Sequence, residues 1–124
     1  MTIEQTISLV DKLKPNQYLP VLKIKWLSKL DGQIFNEVFQ THEGNPIESF
    51  EGYTEDDKNK ELLVPYPFDE DIYNYFLQAQ IDKENGEMNK YNQSITLYNN
   101  AFLSFQNYWN RTHMPIAKNK RFVF

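Results

Sequence analysis

The chain has 124 residues, 40% of them hydrophobic and 24% charged, and its 13 basic against 17 acidic side chains give a formal net charge of −4. That is one domain's worth of protein, long enough to close a single core without staples. The absence of cysteine excludes disulfide frameworks, thiolate zinc sites, iron-sulfur clusters and cysteine nucleophiles, and no stretch approaches the ~18 apolar residues of a membrane span.

The first predicted element opens at Thr2-Ile3-Glu4-Gln5, which matches a capping box, and Ile3, Ile7 and Val10 share one helical face, giving a short helix over about 3 to 13. Pro15 then breaks the pattern, because it lacks a donor and disfavours helical geometry at Lys14. The second element runs from about Pro20 to Thr41 on the stripe Ile24, Leu27, Leu30, Ile34 and Val38, with Phe35 and Phe39 beside it. Asp31-Gly32 interrupts it at a cost of about 1 kcal/mol for the glycine, yet the rhythm resumes in phase, which favours one helix.

Between His42 and about Phe68 the periodicity disappears. From Glu43 to Asp71 ten carboxylates face two lysines, a local charge of −8. A connection of this length in a small domain is functional or disordered, and Phe50, Tyr53 and Leu62-Leu63-Val64 favour docking. The third element opens at Asp69-Glu70-Asp71, acids suited to a helix N-terminus, and continues through Ile72, Phe76 and Ala79 to about Glu84. The fourth is a seam of Met88, Tyr91, Ile95, Tyr98, Phe102, Phe105 and Trp109, alternating threes and fours over about 32 Å of helix. Its phase does not continue that of the third element, so a break or sharp kink is expected near Gly86.

The expected fold is therefore all-α: a small bundle of about four helices forming one domain over residues 1–115, with a long acidic central loop at 43–68 and an extended basic arm at 116–124. The arm, with Arg111, Lys118, Lys120 and Arg121 and the apolar ending Phe122-Val123-Phe124, is the candidate for docking on another surface. The heptad stripe reads as core, with its aromatic end, Phe105, Tyr108 and Trp109, a candidate contact with an adjacent subunit.

Catalytic chemistry is thinly represented. His42-Glu43 lacks the second histidine of a zinc-protease helix, and with His113 the only other histidine no metal site is expected. Glu55-Asp56-Asp57 and Asp69-Glu70-Asp71 are adjacent acids that point different ways, and the four glycines make no phosphate-cradling loop. No enzyme activity and no cofactor are expected.

Several runs share a pattern. These are Leu13-Lys14-Pro15-Asn16-Gln17-Tyr18, Lys23 through Gly32, Thr41-His42-Glu43-Gly44, Leu62-Leu63-Val64-Pro65-Tyr66-Pro67, Gln80-Ile81-Asp82, Asn85-Gly86-Glu87 and Asn110-Arg111-Thr112-His113-Met114-Pro115. In their order, over nearly the whole chain, they resemble the small neck proteins of long-tailed double-stranded DNA bacteriophages and prophages known as head-tail connector, adaptor or head-completion proteins. The apolar Leu19-Pro20-Val21-Leu22 departs from that pattern, where polar helix-starting residues are expected.

The resemblance implies a mostly helical subunit that joins about eleven others in a ring below the portal protein and extends the DNA channel. It also implies a downstream neck or tail-completion partner, DNA that passes without sequence-specific binding, no membrane, and a place in the virion neck after assembly in the host cytoplasm. Glu51, Glu55, Asp56, Asp57 and Glu61 are the candidate channel-lining acids, since a negative lining repels phosphates. The alternative is a helical scaffolding or regulatory module that binds a partner protein through the aromatic stripe.

Overall fold

A computed structural model describes residues 1–116. It is about 65% helical, with no strand among the described residues. Four α-helices follow in order: α1 (Ile3–Leu13), α2 (Pro20–Ile34), α3 (Asp69–Glu84) and α4 (Met88–Thr112). A π-helical turn, Phe35–Phe39, prolongs α2, and a 3-10 turn, Glu55–Asp57, lies in the connection to α3.

The capping box at Thr2 forms as its residues dictate: Gln5 N–H donates to Thr2 Oγ1 at 3.1 Å and Thr2 N–H to Gln5 Oε1 at 2.9 Å. The next free donors of α1 reach across the fold, Ile3 N–H to Lys60 C=O at 3.1 Å and Glu4 N–H to Lys58 C=O at 2.9 Å. The start of α2 has no side-chain cap. Pro20 occupies its first turn, where no donor is needed, and Leu19 and Val21 stand exposed.

Helix α3 is the centre of the bundle, packing on α1, α2 and α4. Burial on opposite sides explains its weak single-face pattern: Ile72, Tyr73, Leu77 and Ile81 are fully buried, while Phe76 turns to Tyr98 of α4 at 5.4 Å between rings. Gly86, at φ +74, makes the break between α3 and α4, and the pairs Phe76–Tyr98 and Phe68–Phe105 set the helices antiparallel.

Two expectations need correction. The second helix does not remain α-helical to Thr41, because its last part widens into the π turn that brings Phe35, Val38 and Phe39 together into the core. The seam of α4 is core only at its C-terminal end: Phe105 and Trp109 are buried, Tyr98 and Phe102 half-buried, and Met88 exposed. α4 is an outer helix, covered by α3 and, at its C-terminal end, by the π turn.

Besides Asp69, which takes the Met1 amine at 3.1 Å at the start of α3, three charged side chains lie at core positions with partners. Lys23 Nζ meets Asp11 Oδ1 at 2.6 Å, and Asp82 takes Lys14 Nζ at 2.5 Å on one oxygen and Ser94 Oγ at 2.9 Å on the other. These tie α1 to α2 and to the α3–α4 hairpin, and each is a buried charge that removal of its partner would leave uncompensated. The third is Asp31.

Candidate functional site

Segment 43–63, which carries the candidate channel acids, is anchored at Asp31 of α2. This carboxylate sits on the buried stripe between Leu27 and Ile34 and is fully buried. Tyr73 O–H of α3 donates to its Oδ1 at 2.6 Å, while Tyr53 O–H and, at 3.1 Å, Leu63 N–H donate to Oδ2. Tyr73 in turn accepts Val64 N–H at 2.9 Å. One buried acid therefore fastens two points of the connection, Tyr53 and Leu63–Val64, to two helices.

Burial pushes the Asp31 carboxyl up to about 6, against the pull of the three donors, and the same burial beside a carboxylate raises both tyrosine hydroxyls. Tyr53 N–H adds a bond to Ser28 Oγ at 3.0 Å, and the Phe50 ring packs edge-on to Tyr53 and 6.4 Å from Phe35. On the other flank residues 58–62 pair with the start of α1, through the bonds of Lys58 and Lys60 above and Leu62 N–H to Met1 C=O at 3.0 Å. The acidic segment is thus pinned from both sides.

Gly52 permits this docking. Its φ of +96 favours glycine, and a Cβ there would lie 2.8 Å from Ser28 Oγ. Gly52→Ala is expected to lose roughly 1–3 kcal/mol in denaturant unfolding, from strain and clash together. Gly86→Ala, also at positive φ but with open space around it, is the control and is expected to lose only about 1 kcal/mol.

The five candidate acids are not gathered on one patch. Glu51, Asp57 and Glu61 surround a cleft of about 680 Å³ whose apolar wall is Ile47, Phe50, Tyr53 and Leu63. Glu55 and Asp56 face a separate hollow of about 440 Å³ beside Leu19, Pro20 and Val21. Glu51, Glu55, Asp56 and Glu61 are exposed. Asp57 accepts Thr54 N–H at 2.7 Å, which holds its carboxyl below the ordinary value, and lies 3.8 Å from Lys60. Glu61 lies 2.6 Å from the Met1 amine.

The candidate subunit contact at the end of α4 falls mostly on buried side chains. Phe105 and Trp109 are buried in this chain's own core, Trp109 stacked at 4.7 Å on Phe39, and Tyr108 is half-buried against Phe68 at 5.0 Å. Their size and apolar character are spent closing the gap between α4, the π turn and Phe68. Arg111 is exposed on the last turn of α4. The candidate arm residues Lys118, Lys120, Arg121, Phe122, Val123 and Phe124 lie outside the described residues.

Where the chain leaves α4 it pairs with its own π-turn exit: Glu43 N–H donates to Met114 C=O at 2.7 Å and Ile116 N–H to Thr41 C=O at 3.0 Å, around an antiparallel bridge between His42 and Pro115. Both histidines serve this junction. His42 Nδ1 lies 2.8 Å from Val38 C=O and Nε2 2.8 Å from the Asn110 amide, while His113 stacks on Trp109 at 3.7 Å. Among the described residues no three acidic or histidine side chains are grouped to hold a metal.

The anchor itself is the functional feature that periodicity missed. Asp31 and Lys23 stand in phase with Leu27, Leu30 and Ile34, and a charge at a core position signals that partners must arrive from elsewhere. No family model, no curated protein and no solved structure matches the chain.

Proposed function

We propose that the chain is a structural neck protein, a head-tail connector or adaptor of the kind found in long-tailed double-stranded DNA bacteriophages, which forms a ring below the portal, extends the DNA channel and joins head to tail. The observation that carries this reading beside the sequence resemblance is the rigid acidic segment. Four exposed carboxylates are held on a connection tied to α1, α2 and α3, so a ring of copies would present fixed negative charge rather than loose tails.

In this reading Glu51, Glu55, Asp56, Asp57 and Glu61 repel DNA phosphates in transit, DNA passes without sequence-specific binding, and the chain performs no catalysis. The partners are the portal, neighbouring copies in a ring of about twelve, and a downstream neck or tail-completion protein. Residues 116–124, with Arg111, reach the axial partner once the ring forms. The chain assembles in the host cytoplasm and ends in the virion neck.

Loss of the chain from a producing phage is expected to leave DNA-filled heads and free tails unjoined under the electron microscope; joined, infectious particles would overturn the proposal. Reversing Glu55, Asp56 and Asp57 to lysine in the same phage is expected to impair DNA packaging or release, and normal titres would remove these acids from the channel.

The alternative, a helical scaffolding or regulatory module, draws on one observation. Tyr91, Tyr98 and Phe102 of the aromatic stripe are only half-buried, which leaves part of α4 open to a partner.

A further inference from the structure

The cleft bounded by residues 47–54 and 57–63 combines features that a basic, aromatic peptide would satisfy. Its wall is apolar, with two aromatic rings, Phe50 and Tyr53, and its rim carries the exposed Glu51 together with Asp57, beside Lys60, and Glu61, beside the Met1 amine. At about 680 Å³ it lies within the range of sites that bury a ligand of several side chains. Its floor is rigid, because Tyr53 and Leu63 are both fixed to Asp31.

The chain itself contains a segment of matching chemistry. Residues 117–124 carry Lys118, Lys120 and Arg121 with no acid, followed by Phe122-Val123-Phe124, whereas the other 116 residues hold 17 acidic and ten basic side chains. We propose that in the free subunit this cleft receives the chain's own 117–124 segment, the cations against the rim carboxylates and the Phe122-Val123-Phe124 side chains on the apolar wall. The proposal concerns the chain before any assembly and stands independently of the connector reading.

Reach and direction favour the same molecule over a second copy. Ile116 is bonded to Thr41, ten residues along the helix from Asp31, a distance of about 15 Å. Phe122 to Phe124 follow Ile116 by six to eight residues, an extended reach of roughly 20–28 Å, which covers that distance and the step outward to the cleft. The bridge to His42 is antiparallel, so the chain passing Ile116 runs from the level of Glu43 toward Thr41, back toward the π turn. A linker that spans the gap gives an effective concentration on the order of millimolar, above that of any second copy at micromolar protein.

The chain has no cysteine, so Asn119→Cys provides a unique attachment point for a nitroxide on the full-length protein. Nitrogen-15-labelled, spin-labelled chain diluted into excess unlabelled, unmodified chain is expected to lose amide signal intensity at Tyr53, Thr54 and Leu63, with the intensity restored on reducing the nitroxide. Glu51→Lys with Glu61→Lys, both exposed positions, is expected to recover most of that intensity, as is salt near 1 M, where charges are screened within about 3 Å. Intact signals in the diluted sample would overturn the proposal. Loss seen only when unmodified labelled chain is mixed with spin-labelled unlabelled chain would overturn it too, in favour of a second copy as the occupant.

Discussion

Replacing Asp31 by alanine is expected to destabilise the chain by about 3–5 kcal/mol, the largest effect of any single substitution on the docking of the acidic connection. The change orphans three donors at once: the hydroxyls of Tyr53 and Tyr73 and the Leu63 N–H. Tyr73 is fully buried and has no route to water. Asp31→Asn is expected to cost less, since an amide keeps one acceptor and offers donors to the tyrosine oxygens.

The two variants also separate by pH. Burial holds the Asp31 carboxyl at about 6 in the folded chain, against an ordinary value of 3.8. Between those values the native state keeps a proton that the unfolded state has released. The stability this group contributes is therefore complete below about pH 4 and is lost as pH rises to about 6, at roughly 1.4 kcal/mol per unit and about 3 kcal/mol in all. Urea unfolding at intervals from pH 4 to 7 should show that decline in the native chain and a flatter profile in Asp31→Asn. Equal slopes in both would mean that Asp31 is not the buried, proton-retaining anchor.

Trp109→Ala is expected to cost about 3–5 kcal/mol, and to do so independently of protein concentration. The indole lies between Phe39 at 4.7 Å and His113 at 3.7 Å and touches Phe105 at 5.7 Å, so alanine opens the place where α4, the π turn and the C-terminal junction meet. Trp109→Phe is expected to be far milder, about 1 kcal/mol, because a ring remains and the buried Nε1, which has no hydrogen-bond partner among the described residues, is removed. An interface tryptophan would behave otherwise, leaving monomer unfolding unchanged and weakening assembly alone. Thermal unfolding at two concentrations a hundredfold apart distinguishes these cases.

The helices were legible for local reasons. The Thr2 capping box and Pro15 bracket α1, the acid run at 69–71 opens α3, and the phase shift around Gly86 marks the break before α4. The π turn was not legible, since one wider turn barely disturbs an apolar rhythm already crowded by Phe35, Val38 and Phe39. Nor was the partial exposure of α4, because a seam tells that a face is apolar and not how much of it a neighbouring helix is long enough to cover.

The anchor at Asp31 depends on contacts 22, 32 and 42 residues away in sequence, and Asp82 on Lys14 at 68. Periodicity carries no information on such pairings. The acidic stretch was legible as charge, but its division into two sets around different hollows follows from how Thr54–Asp57 turns, which only the docked connection decides.

The connector reading is tested most directly by mass photometry of this chain mixed with the portal ring from the same source. The expected result is one heavier species carrying about one copy of this chain per portal subunit, as a templated symmetric ring requires. An unshifted portal peak at micromolar concentrations of the chain would contradict it.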